Sequence, residues 1–443
     1  MLDALLIKLN YREVLSGERE FDLGTAYLAG ALRQAGFQVE IIDASLEELT
    51  KEMLLERIIS SPARLIGLSV WLHRLVGEAE QLVRELRLRG IKAHITMGSH
   101  SPTFLYRELL ENNPGLDSVV CGEGEPTIVE LLTALAAERE WRNIPGVASY
   151  DADRIIYKPR AACCALDELA PPALDYAPLV KERGQFMSLL TSRGCYGRCT
   201  FCSTSPFYRL GGGKAWRAHS PERVLAEFVL LHREYGFTHF GVRDDNFVGP
   251  GAQGRERAQA IAEGILREGL AISFKIACRV NDIDRDLFAS LKQAGLARVF
   301  LGVESGSQRR LDGFKKGVTI KQNTEAMLLL TELGLPYTVG YIMFAPDTSW
   351  AEFRESSAFL KHALGSVEGI TEAVHDMFNP VEVLPGTVIA EELSQKGLLL
   401  GDYRGFRYRF QDWRVRVFYQ GLVGIRRLVA FIIKVRGVNT GGD

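Results

Sequence analysis

Short apolar runs alternate with stretches whose apolar residues recur every three or four positions through residues 1–140. DALLIKL, from Asp3, reads as a buried strand. Leu23, Tyr27, Leu28, Ala31 and Leu32 share a helical face that stops at Gly36, and QVEIIDA follows as a second strand. ARLIGLSV, KAHITMG and LDSVVCG continue the cycle, separated by VGEAEQLVRELRLRG and by a segment opening at Ser101-Pro102. A helix from Pro126, apolar at Ile128, Leu131, Leu132 and Leu135, closes it. This alternation predicts an α/β domain with a doubly wound, flavodoxin/Rossmann-like parallel sheet. From 141 to 185 the period is lost among Pro145, Pro159, Pro171, Pro172 and Pro178, and a connector is expected.

A second alternating series fills residues 186–390: MSLLTSRG, THFGVRD, ISFKIACRV, ARVFLGVES, YTVGYIMFAP and MFNPVEVLP. Ser220-Pro221 starts one intervening helix, Leu287, Leu291 and Ala294 lead to a stop at Gly295, and Thr319 with Gln322 forms a capping box for a helix ending at Gly334. Six strands in such alternation predict a partial (β/α)6 TIM-type barrel. Residues 391–443 read as a small helical extension. Its apolar positions Trp413, Val417, Leu422, Ile425, Leu428 and Ile432 predict packing on the barrel, with Arg414, Arg416, Arg426, Arg427, Lys434 and Arg436 forming a solvated basic face.

Composition narrows the function classes. With 443 residues, 47% hydrophobic and 24% charged, the chain is of ordinary globular make-up, and its net charge of −2 argues against a nucleic-acid binder that relies on overall basicity. No apolar run is long enough to span a membrane, so no integral membrane association is expected. The first ten residues do not resemble a secretory signal, and the seven cysteines, an odd number, read as reduced thiols of a cytoplasmic protein.

Three of those thiols carry the chemistry. SRGCYGRCTFC places Cys195, Cys199 and Cys202 directly after a predicted strand, where barrel active sites sit. Thiolates ligate iron–sulfur clusters, and three of them leave one iron of a 4Fe–4S cube without a protein partner, open to a small chelating molecule. A zinc site would want a fourth ligand or a second knuckle. Cys163 and Cys164 are adjacent, Cys278 lies alone, and Cys121, Cys163, Cys164 and Cys278 make no second cluster motif. The CxxxCxxC spacing resembles that of the radical S-adenosylmethionine superfamily, and the resemblance covers about residues 186–390 in motif and strand order. It implies that S-adenosylmethionine chelates the open iron. By the same resemblance Phe201 lies near the adenine, and Asp244, Asp245 and Asn246 hold the amino group in place of the more usual Gly-Gly-Glu. Arg279 pairs the carboxylate, and Glu304 with Ser305 contacts the ribose. Tyr341 and Met343 read as barrel filling, and Pro385, Gly386 and Thr387 as a turn.

Ligands of flavodoxin-like sheets bind outside the carboxyl ends of the strands. The loops there supply Ser69, Val70, Trp71, Gly98, Ser99, His100, Gly122, Glu123, Gly124 and Glu125, without a phosphate-binding pattern, and Leu23 and Gly24 open the first helix nearby. Together with DLGTAYLAGALRQAGFQVEIIDA this resembles the cobalamin-binding domain that precedes many radical S-adenosylmethionine domains, across about residues 3–140. The loop LNYREVLSGE lacks the histidine of the family's Asp-x-His-x-x-Gly pattern, so cobalt ligation by that loop is not expected. His73 and His100 lie on neighbouring loops and read as hydrogen-bonded or surface histidines.

The joint resemblance implies three cofactors: a 4Fe–4S cluster, S-adenosylmethionine and cobalamin. It implies a methyltransferase acting on an unactivated carbon of a small-molecule, natural-product type substrate. An external electron donor such as flavodoxin or ferredoxin would reduce the cluster. Two other outcomes stay open at this level: ring contraction, cyclisation or oxidative rearrangement without methyl transfer, and a non-catalytic corrinoid sensor or carrier.

Overall fold

The computed structural model describes residues 2–9, 21–161, 165–365 and 378–436, with side chains described through residue 425. The loop after the first strand, Cys163, Cys164 and the first residue of MFNPVEVLP lie outside the described residues.

The first sheet contains β1 (Leu2–Lys8), β2 (Val39–Asp43), β3 (Ala63–Ser69), β4 (His94–Gly98), β5 (Ser118–Val120), β6 (Val147–Asp151) and β7 (Arg154–Tyr157), in the spatial order β2-β1-β3-β4-β5-β6-β7. The five strands β1–β5 are parallel, and the order reverses between β1 and β3, which is the switch point of a flavodoxin-like sheet. Helices α1 (Leu23–Gln34), α2 (Lys51–Ser60), α3 (Val76–Leu88) and α4 (Glu125–Ala136) cover its faces. Helix α1 begins where it does because Asp22 accepts a hydrogen bond from the Thr25 amide at 3.0 Å, and it buries Leu23, Ala26, Tyr27, Ala29 and Leu32.

The segment expected as a connector does more than connect. β6 pairs antiparallel with β5, and β7 with β6, so the first sheet runs on to Tyr157, between Pro145 and Pro159 rather than through them. Further on, the Ala173 amide donates to the Ala26 carbonyl of α1 at 2.9 Å. Contact is close enough that a Cβ on Gly30 would stand 2.0 Å from the Pro171 carbonyl oxygen. The proline-rich stretch is therefore seated on α1.

The second sheet has the order β14-β13-β12-β11-β8, built from β8 (Met187–Leu189), β11 (His239–Val242), β12 (Ser273–Arg279), β13 (Leu296–Glu304) and β14 (Tyr337–Tyr341), all parallel. The sixth expected strand appears among the described residues as a single parallel bridge, Phe344 to Pro380, at the edge of β14. MSLLTSRG divides in two. β8 joins the barrel sheet, whereas β9 (Ser192–Gly194) turns out of it and pairs antiparallel with β10 (Trp216–Ala218). Asp244 makes this break, accepting from the Thr191 amide at 2.7 Å and from the hydroxyls of Thr191 and Ser192 at 2.5 and 2.7 Å. The Ser220 cap and the Thr319–Gln322 capping box form as the sequence predicts. One apolar core runs from Phe228, Phe240 and Phe274 through Leu301 and Val339 to Phe344.

Past the barrel, α5 (Thr204–Tyr208) is a short helix beside the cysteine loop, and α6 (Val388–Gln395) and α7 (Trp413–Arg436) follow the last strand. Helix α7 buries only part of the face expected of it: Leu422 packs on the barrel core, and the side chains of Leu428 and Ile432, like those of Arg426, Arg427, Lys434 and Arg436, lie outside the described residues. Val415, Phe418, Tyr419 and Leu422 face the barrel around Phe344 and Phe353, while Trp413, Val417 and Ile425 are exposed. The buried set also has helical spacing, and its two aromatic rings bury more area than the alternative. Before α7 the chain crosses back to the first domain. Tyr403 and Arg404 engage the fully buried Glu80 on α3, and His73 donates to the Tyr403 carbonyl at 2.8 Å while packing on Phe406.

Gly30→Ala should lower the unfolding midpoint in heat or denaturant, at a cost of about 1–3 kcal/mol, because the linker carbonyl must retreat from α1. Gly405→Ala, where nothing lies within 4 Å, should not. Equal midpoints for both variants would mean that the linker is not seated on α1.

Candidate active site between the two domains

Strand β9 delivers the cysteine loop. Gly194 ends it with φ 84°, and a side chain there would drive into the Ala215 carbonyl oxygen, 2.0 Å from the Cβ position, so only glycine lets the chain curl. Within the loop the Gly197 amide donates to Cys195 Sγ at 3.4 Å and the Cys202 amide to the Cys199 carbonyl at 3.2 Å. Thr200 fastens the loop on both sides. Its amide donates to the Phe314 carbonyl at 2.9 Å, and its carbonyl accepts from the Ile389 amide at 3.0 Å. Arg279, at the end of β12, lies across the loop with Nη1 3.6 Å from Cys199 Sγ, Nη2 on the Lys316 carbonyl and Nε 3.3 Å from Asn281 Oδ1. Gly197 leaves it room, since a Cβ would sit 2.3 Å from Nη1.

All three thiols are free and partly exposed. Burial pushes the Cys195 thiol up and the Cys202 thiol up to about 11, so binding a metal cluster here must displace protons. An amide and a guanidinium directed at the sulfurs match what thiolates on an iron–sulfur cube need. Among the described residues no three His, Cys, Asp or Glu side chains converge on the single point a mononuclear metal would occupy.

The residues expected around S-adenosylmethionine divide by role. Phe201 is half-buried, edge-on to Phe314 with centroids 4.8 Å apart. Asp245 is exposed, accepting from the Gly194 amide at 3.2 Å and Thr204 Oγ1 at 3.0 Å, next to Cys195. Asp244 is spent on the β8–β9 break, and Asn246, fully buried, accepts from the Gly249 amide and donates to Asp282, both at 2.6 Å. These two build the loop and do not present free polar atoms. Glu304 adopts φ 66°, an uncommon conformation outside glycine, and meets Lys316 Nζ at 2.8 Å. Gly302 makes that pair possible, because a Cβ there would come within 2.7 Å of Glu304 Oε1 and 2.8 Å of Lys316 Nζ. Ser305 is buried, 3.2 Å from Ser356 Oγ, and Tyr341 is likewise internal, donating to the Ser356 carbonyl at 3.1 Å.

Between the domains lies a cavity of about 1230 Å³, larger than the roughly 300–1,000 Å³ of common small-molecule sites. Leu23, Gly24, Ser69, Trp71, Gly98, Ser99, His100, Gly122, Glu123, Gly124 and Glu125 all line it, at the carboxyl ends of β3, β4 and β5 and the start of α1. Val70 does not; it is fully buried beneath them. Two backbone features suit a broad flat ligand. Gly122, at φ 80°, has open space where a Cβ would point, and Ser99 holds φ 88°, a conformation that glycine normally takes. His100 stacks on Phe207 of α5 with centroids 4.0 Å apart, and burial holds its imidazole neutral by lowering its pKa to about 4. His73 faces the C-terminal segment and takes no part in the cavity.

The opposite wall comes from the barrel: Leu190, Arg193, Phe207, Tyr208, Arg243 and Asp245. Of these, the sequence singled out Asp245 alone. Arg193 is the most consequential omission. Buried on β9, it reaches Glu123 at 2.9 Å and Glu125 at 2.5 Å, and Arg217 on β10 reaches Glu123 at 2.5 Å. Burial alone would raise the Glu125 carboxyl, but Arg193 holds it below the ordinary range. The two acidic loop residues thus bind the barrel across the cavity rim. A charged residue inside a predicted strand, two positions before Cys195, was the available signal.

Comparison with known proteins agrees with this geometry. Residues 15–132 match the B12 binding domain and residues 189–360 the radical SAM superfamily. An uncharacterized methyltransferase of Pyrococcus horikoshii is 31% identical over 85% of this chain and 79% of its own length. The anaerobic magnesium-protoporphyrin IX monomethyl ester cyclase of Cereibacter sphaeroides is 29% identical over 75% of this chain, which spans only 55% of that enzyme. Among solved structures, the cobalamin-dependent S-adenosylmethionine radical enzyme OxsB shares the fold with a TM-score of 0.80 at 24% identity, over 95% of this chain and 66% of OxsB. Two cofactor-binding domains in this order, joined across one cavity, place the chain among the cobalamin-dependent radical S-adenosylmethionine enzymes, with a 4Fe–4S cluster, S-adenosylmethionine and cobalamin as its cofactors.

Proposed function

We propose that this enzyme is a methyltransferase that modifies an unactivated carbon of a small molecule held between its two domains. The carrying observation is that one cavity is walled on one side by the cobalamin-domain loops and on the other by β9 and Asp245, beside Cys195. A substrate in that space would lie between the cobalamin-domain loops and the strand that leads into the cysteine loop. When bound, the cluster supplies the electron that cleaves S-adenosylmethionine, and cobalamin supplies the methyl carrier.

The chain's own groups then have separable tasks. Cys195, Cys199 and Cys202 hold the cube, and Arg279, fixed to the Lys316 carbonyl, offsets the negative charge of the thiolates. Asp245 has acceptor capacity for an ammonium group at the cavity edge, Phe201 offers a ring face to a purine, and Glu304 with Ser305 marks the far end of the carboxyl rim of the barrel. The cobalamin loops contribute Ser69, Ser99 and glycine backbone, with neutral His100 stacked on Phe207 at the cavity wall. Arg193 sets the distance between the two halves by gripping Glu123 and Glu125. A second reading, cyclisation or rearrangement with no methyl transferred, is favoured by the likeness to the cyclase.

Cys199→Ala should abolish formation of 5'-deoxyadenosine while cobalt content per chain stays near wild type; cleavage surviving in this variant would remove the cluster from the mechanism. Arg193→Gln leaves the buried Glu125 carboxylate facing a neutral amide while Glu123 keeps Arg217, a loss of about 3–5 kcal/mol. It should lower the unfolding midpoint and the corrinoid retained after gel filtration, and Arg193→Lys should recover part of both. With S-adenosylmethionine bearing a deuterated methyl group, product should gain one labelled methyl. A product that has lost two hydrogens or changed its ring, with no label, would replace the methyltransferase reading by the second one.

A further inference from the structure

Each cleavage of S-adenosylmethionine consumes one electron, which must reach the cluster from outside. Among the described residues the remaining cysteines, Cys121 and Cys278, are buried singly and offer no relay. The surface over the cysteine loop is therefore where an electron enters, and it has a definite chemistry. Arg198, between Cys195 and Cys199, is exposed. The turn Gly313–Gly317 is clasped to the same loop: its Phe314 and Gly313 carbonyls accept from the amide and hydroxyl of Thr200 at 2.9 and 3.3 Å, and its Lys316 carbonyl accepts from Arg279. At the tip of that turn Lys315 is exposed and held at φ 50°, a conformation non-glycine residues seldom adopt, which turns its backbone outward while its neighbours Phe314 and Lys316 are buried. Asp312, the exposed acid just before the turn, accepts from Gln308 Nε2 at 2.9 Å. Neither Arg198 nor Lys315 has a salt-bridge partner among the described residues, whereas Arg193, Arg217 and Arg310 do. Gly313 and Gly317 add little bulk beside them, so a docked surface comes near the cluster.

We propose that Arg198 and Lys315 form the docking surface for an acidic one-electron donor protein of the flavodoxin or ferredoxin class. The donor gives up one electron and is oxidised by one unit. The cluster is reduced by one and passes that electron into the carbon–sulfur bond that breaks. Such encounters bury little area and depend on charge for their rate, so they weaken steeply with salt.

The test compares two reductants on the reconstituted full-length enzyme, reading 5'-deoxyadenosine, which forms whether or not a methyl group is later transferred. With photoreduced flavodoxin at low ionic strength, the double variant Arg198→Glu/Lys315→Glu should react at least tenfold more slowly than wild type, and added salt should shrink the difference. With titanium(III) citrate, a small reductant, the two proteins should match. An undiminished flavodoxin-driven rate overturns the proposal, as does an equal loss with both reductants, which would place the two residues in the cluster's environment instead.

Discussion

The buried pairing of Arg193 with Glu123 and Glu125 is the interaction on which the arrangement of this enzyme depends. It is costly to make, since three charges leave water, and its attraction does little more than offset that desolvation. Its value is in position. Glu125 opens helix α4, where the helix dipole already favours a carboxylate, and Glu123 lies on the loop that follows β5 of the cobalamin domain. Arg193 stands two residues before Cys195 on a strand that Asp244 has turned out of the barrel sheet. One side chain therefore ties a cavity loop of the first domain to the strand that leads into the cysteine loop. Hydrophobic contacts of equal strength would hold the domains together without fixing their register as narrowly.

The same logic explains why the back of the molecule is tied as well. A single hinge at the cavity rim would let the domains open like a book. Tyr403 and Arg404 close the far side on the buried Glu80, and α7 then returns to the barrel, where Phe418 and Tyr419 pack around Phe344. Proline-rich residues along α1 add a third seam. The two domains are thus joined at the cavity rim and on the far side, with the linker seated along α1 between them.

Much of this was legible in the sequence because it follows from local pattern. Alternation located β1 to β5 and the barrel strands, caps such as Ser220 and Thr319 announced their helices, and the glycine- and serine-bearing loops named from strand ends do meet at the cavity, Val70 excepted. What escaped was set by partners far along the chain. MSLLTSRG reads as one strand, and its break depends on Asp244, more than fifty residues away. Arg193 looks like a strand residue until Glu123 and Glu125 stand opposite, and α7 has two apolar faces between which only the barrel decides. Periodicity cannot rank two amphipathic choices; the buried area of Phe418 and Tyr419 can.

Arg279 shows how a family resemblance and a structure constrain each other. The resemblance gives its guanidinium to a carboxylate, yet here it is divided among Cys199 Sγ, Asn281 and the Lys316 carbonyl and is almost wholly buried. A thiolate and a carboxylate are both anions, and a planar fork with five donors can serve two of them in one plane. The geometry fixes one side of that plane on the cysteine loop: Gly197 admits the guanidinium within reach of Cys199 Sγ, and the backbone carbonyl keeps it there. An arginine so held keeps its positive charge beside the cysteine loop, and lysine, with one point charge on a flexible stem, could not span the same partners.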